Sequence, residues 1–145
     1  MKHLIKFKIF ESVQSYDFTY EGQEGTSWVY LLKDEFENQF KVEISRRPEN
    51  EVELIYLVKS GDNWTYKEVK TNIWKLTETI IGKILNDFLN RNDWVESVKI
   101  VGLGKNTEKD AITQRTKLYW RYLSNNPIQG WELDKYGNEI YLYKI

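Results

Sequence analysis

The spacing of hydrophobic residues changes from two to about 3.6 near residue 72, which restricts this chain to a β-rich front and a helix-bearing back half. Before the switch, residues 26–33 set Trp28, Tyr30 and Leu32 on one face. Residues 39–46 do the same with Phe40, Val42 and Ile44, and residues 51–59 with Val52, Leu54, Tyr56 and Val58. The intervening segments 34–38, 47–50 and 60–63 are short and rich in turn formers, so hairpins are expected. Lys41, Glu43 and Ser45 give the second strand a solvated face, whereas Ile55 and Leu57 leave the third apolar on both faces and place it centrally.

Three weaker β segments flank these strands. Residues 3–10 alternate, residues 16–20 form a short extended piece before a turn at 21–25, and residues 64–69 fit a further edge strand. After the switch, Ile73, Leu76, Ile80, Ile81, Ile84, Leu85, Phe88 and Leu89 make one apolar stripe over residues 72–90, with Thr71 or Asn72 as N-cap. A strand at 94–101, a loop at 102–109 and a helix at 110–124 follow. The helix turns Ile112, Tyr119, Tyr122 and Leu123 inward and stops before Pro127. A hairpin of 130–134 and 139–144 closes the chain around the turn Lys135-Tyr136-Gly137-Asn138, whose Gly-Asn supplies the positive backbone angles a tight hairpin needs. The expected fold is α+β: a mainly antiparallel sheet of early hairpins packed on a long helix, then a strand, helix and hairpin. With no internal repeat or linker, residues 1–145 read as one domain.

The hydrophobic share of 41% and aromatic share of 15% supply enough bulk for a packed core. There is no Cys, which removes disulfides, thiolate metal sites and a cysteine nucleophile and fits a reducing or a redox-indifferent compartment. No apolar stretch approaches the roughly 20 residues of a membrane span, and the alternating start differs from a signal peptide. A cytoplasmic location is expected. Net charge is −1, yet residues 11–56 hold eleven acids against four bases, and residues 95–125 six bases against three acids. That polarity can orient a protein partner, while the near-neutral total disfavours nucleic acid.

Catalytic signals are sparse. His3 is the only histidine, so a histidine triad or metal cluster has little to build on, and none of the carboxylates forms a paired motif. The loop Gly102-Leu103-Gly104-Lys105-Asn106-Thr107 follows a strand and precedes a helix, as a phosphate cradle does, and Lys105 is its candidate binding residue. Lys99 and Asn106 occupy positions where a Walker loop needs Gly and Ser or Thr, so an ordinary loop is the favoured reading. Residues 113–121 are the most distinctive stretch. On a helix, Lys117 and Arg121 lie one turn apart near Arg115, and with Trp120 they suit phosphate, carboxylate or protein contacts. The competing reading is a helix with inward tyrosines flanked by solvated bases.

Leu118-Tyr119 before Gly130-Trp131 resembles the carboxy-terminal half of the GNAT acetyltransferases, and the element order over residues 26–145 is similar to theirs. The resemblance implies acetyl-CoA as cofactor and Tyr119 as general acid. Residues 59–72, however, hold no Arg/Gln-x-x-Gly-x-Gly/Ala loop for the cofactor pyrophosphate. A second resemblance, carried by Thr113, Arg115, Thr116, Leu118 and Tyr119, is to small proteins of Bacteroidetes-type bacteria and their phages, and it implies a phage or mobile-element accessory or virion-associated role. The leading expectation is a non-enzymatic interaction module without cofactor or metal, binding a protein through its acidic sheet or the helix face from Arg115 to Arg121. A GNAT-like acyltransferase is the alternative, and a weak single-strand nucleic-acid binder using Trp120 is the third.

Overall fold

The computed structural model describes residues 15–102 and 113–145; the expected strand at 3–10, His3, Lys105 and Ile112 lie outside them. The alternating segments form β1 (Phe18–Glu24), β2 (Ser27–Lys33), β3 (Gln39–Arg47) and β4 (Glu51–Ser60). Antiparallel pairing puts Tyr30 opposite Val42 and Val42 opposite Tyr56, so the apolar faces coincide. The turn expected at 21–25 is instead strand: β1 continues to Glu24, with the register shifting between Tyr20 and Gly22. The edge strand expected at 64–69 shortens to β5 (Asn63–Thr65). Tyr66, Lys67, Glu68 and Lys70 are all exposed and offer the ladder no apolar face to bury.

In place of one α-helix over residues 72–90, three helical pieces follow one another: α1 (Ile73–Thr77), a π-helical segment (Glu78–Ile84) and α2 (Leu85–Arg91). Asn72 is the N-cap, its side chain accepting from the Lys75 amide. The Thr77 and Thr79 hydroxyls donate to the carbonyls of Ile73 and Lys75, at 2.8 and 2.7 Å. This competition with the backbone amides loosens the α-helical ladder where the π-helical turns begin. The apolar stripe is buried from Leu76 to Phe88, and Phe88 meets Trp28 of β2 edge to face at 5.3 Å.

β6 (Ser97–Val101), α3 (Gln114–Asn125), β7 (Trp131–Tyr136) and β8 (Glu139–Lys144) complete the described elements. Tyr119 and Leu123 of α3 join the core, whereas Tyr122 is only half-buried. The turn expected over 135–138 shortens to Gly137-Asn138, because Lys135 and Tyr136 stay in the ladder opposite Ile140 and Glu139. Gly137 has φ +60° and Asn138 has no positive φ, the pattern of a two-residue turn with glycine first. The fold is α+β with a mostly antiparallel sheet in the order β1-β2-β3-β4-β6-β8-β7, and β5 beside β4. β4 is central as its two apolar faces required, and β6 runs parallel to it. No helix among the described residues is long and apolar enough to cross a membrane.

Candidate functional site

Two regions of the molecule bring aromatic and charged side chains together, and the first lies where β4 changes partner. Glu51–Leu54 pair with β6, while Val58–Ser60 pair with β5 on the hairpin return. Tyr56 lies between the two pairings, on the face that carries the core. A cavity of about 370 Å³ opens there, bounded by Tyr56, Val69, Thr71, Ile73, Arg115 and Leu118. Arg115 is only 7% exposed and stacks over the Tyr56 ring, 4.2 Å from its centroid. None of the ion pairs among the described residues includes it.

α3 delivers Arg115 because its N-terminus is fixed on three sides. Thr113 caps the helix by accepting from the Thr116 amide at 3.2 Å, and its hydroxyl donates to the Gly102 carbonyl at 2.6 Å. Its amide donates to Asn138 Oδ1 at 2.7 Å, tying the helix to the β7–β8 turn. Tyr119, one turn beyond Arg115, is 2% exposed and does not line the cavity. Burial pushes its phenol well above the ordinary range, with Tyr56 adding to the rise and Arg115 opposing it.

The second region is the face of β6, β8 and β7 opposite the core. Ile140 and Leu142 are buried, so alternation turns Tyr141 and Tyr143 outward, and the register sets Asp134 opposite Tyr141 and Glu132 opposite Tyr143. Tyr141 and Tyr143 stack at 5.8 Å and 5°, and Tyr136 meets Tyr141 edge to face at 5.8 Å. Tyr136 is 59% and Tyr143 38% exposed. The Tyr136 hydroxyl donates to Asp134 at 2.8 Å and that of Tyr141 to Glu139 at 2.9 Å. Burial and the Glu139 hydrogen bond push the Tyr141 phenol up to about 12, so the row is neutral at physiological pH and its charge comes from carboxylates. Lys99 reaches Glu139 at 3.3 Å, while Glu132 and Asp134 have no ion pair among the described residues.

The described residues among those singled out in the sequence are not all brought to one face. Arg115 points inward, against the expectation of a solvated base; Lys117 is exposed; Trp120 is half-buried with the Lys135 ammonium 4.9 Å from its ring; Arg121 lies over Trp74 at 5.2 Å. With Arg115 buried and Lys117 and Arg121 exposed, the segment from Arg115 to Arg121 does not present all its bases on one face. The tyrosine row was missed in the sequence, although Tyr141 and Tyr143 at a spacing of two, with Tyr136 across a Gly-Asn turn, were its signal. Among the described residues no three His, Cys, Asp or Glu are grouped to hold a metal ion. Comparison with protein-family models, curated proteins and solved structures returns no match.

Proposed function

We propose that this protein is a non-catalytic interaction module that docks a basic partner protein on the outer face of β6, β8 and β7. The observation that carries the reading is the row Tyr136, Tyr141 and Tyr143. Tyrosine offers large contact area at low entropic cost, is enriched where proteins meet, and attracts cations through its ring face. Three acids, Glu132, Asp134 and Glu139, face a single base, Lys99, across the same strands. Complementarity of that kind steers encounter with a basic surface and fixes its orientation. The resemblance carried by Thr113, Arg115, Thr116, Leu118 and Tyr119 supports an accessory role in a phage or mobile element, acting in the host cytoplasm or the virion. In this reading neither cofactor nor metal is involved.

Affinity capture with the wild-type chain and with a Tyr136→Ser/Tyr143→Ser double variant tests the proposal. A basic protein retained by the first and lost by the second supports it. Equal retention by both contradicts it.

A second reading, a GNAT-like acyltransferase, is favoured by one observation. The parallel pairing of β4 and β6 stops at Leu54 and Ile100, beside Tyr56 and the cavity. The strand, helix, strand, helix, hairpin order fits that fold, with acetyl-CoA entering the opening and Tyr119 as acid. The enclosure of Tyr119 and the lack of a pyrophosphate loop rank it second. Saturable thermal stabilisation by acetyl-CoA, and turnover lost in Tyr119→Phe with the fold intact, would promote it; no shift at millimolar acetyl-CoA would end it.

A further inference from the structure

The cavity beside Arg115 has a chemistry of its own, separate from the outer sheet face. A guanidinium removed from water is costly unless an anion or a dense set of hydrogen bonds compensates it. Arg115 is 7% exposed, its guanidinium lies 4.2 Å from the Tyr56 ring beside the neutral phenols of Tyr56 and Tyr119, and none of the ion pairs among the described residues includes it. Stacking of that kind offsets only a part of such a cost. Arg115 also lies at the second position of α3, where the helix dipole favours negative charge. Phe40, Val69, Ile73 and Leu118 supply the apolar part of the walls, and Thr71 and Gln114 add uncharged polar groups. Lys67 and Glu68, both exposed, are the other charged residues of the lining and oppose one another. The site therefore offers a buried guanidinium with no carboxylate bound to it among the described residues, set against a partly apolar wall.

We propose that this cavity binds a small monoanionic carboxylate with an apolar body, such as an aromatic or short acyl acid. The planar guanidinium fork matches a carboxylate in two parallel hydrogen bonds, and a single positive charge matches a monoanion better than a phosphate dianion. The volume of about 370 Å³ lies at the small end of ligand pockets, which are mostly apolar with a few convergent polar groups.

The test uses the full chain and calorimetric titration with benzoate and hexanoate, against their neutral counterparts benzyl alcohol and 1-hexanol, and against inorganic phosphate. The acids should bind saturably and about tenfold more tightly than the alcohols, the difference one charge-assisted contact provides. Arg115→Met should erase that ratio, and Arg115→Lys should retain part of it. Should Arg115→Met fail to fold, the acid-to-alcohol ratio in the wild-type protein decides alone. Equal affinity for acids and alcohols, no saturable binding of either acid, or tighter binding of phosphate would overturn the assignment.

Discussion

The Tyr30 hydroxyl on β2 donates to Asp87 Oδ2 on α2 at 2.7 Å, and Arg91 Nε reaches the same oxygen at 2.7 Å. One carboxylate thus fastens the helical run to the sheet across 57 residues of sequence. Burial would raise the Asp87 carboxyl, but Arg91 and Tyr30 outweigh it and hold the group below its ordinary value. A depressed folded-state value stabilises the fold above the unfolded value, and that contribution is lost as pH falls through the folded one. Asp34 behaves alike: burial raises it, while donation from Asn38 and from the Asn38 and Phe36 amides lowers it further. Denaturant titrations across the acid range should show stability declining below about pH 4, and Asp87→Asn should flatten that decline. Tyr30→Phe should cost about 1 kcal/mol at neutral pH.

Gly102 is held by close approach. A Cβ there would lie 1.9 Å from Thr116 Oγ1 and 2.7 Å from the Thr116 amide nitrogen, which is backbone and cannot swing aside. Gly102→Ala should therefore destabilise by about 2 kcal/mol or more in urea unfolding. An unchanged midpoint would show that β6 and α3 are not locked in this way.

Thr113 serves as N-cap and as a bridge from α3 to Gly102. Thr113→Ala should lose about 2 kcal/mol, because cap and bridge go together, whereas Thr113→Ser should recover most of it. Equilibrium unfolding of the two variants separates a hydroxyl effect from a packing effect.

The π-helical segment makes room for Tyr122. A Cβ on Gly82 would lie 2.4 Å from the Tyr122 hydroxyl oxygen and 3.2 Å from its Cζ. Gly82→Ala should be destabilising, and less so in a Tyr122→Phe background, with a coupling of about 1 kcal/mol in a double-mutant cycle. Additive costs would mean that the two residues do not share the space.

Hydrophobic period made the sheet legible: β2, β3 and β4 follow directly from their alternating residues, and Asn72 is readable as a cap because a short acceptor precedes an apolar stripe. The π-helical turns were not readable. A period of 3.6 does not report that Thr77 and Thr79 return their hydroxyls to the preceding turn, nor that Gly82 meets Tyr122 from another helix. The inward Arg115 was hidden for a similar reason. Sequence treats a base on a helix as solvated, whereas its burial follows from the gap that β4 leaves between two partners, which is a property of the assembled sheet. The tyrosine row is local in sequence, but its significance depends on which face the helices leave uncovered.

The most direct test of the docking face is calorimetric titration of the full chain with an octa-arginine peptide at low and moderate salt, in parallel with Tyr136→Ala/Tyr143→Ala. The outer-face account expects saturable binding by the wild type that weakens with salt and falls about tenfold or more in the double variant, with no binding of octa-glutamate. Equal affinity of wild type and double variant for octa-arginine would contradict the account.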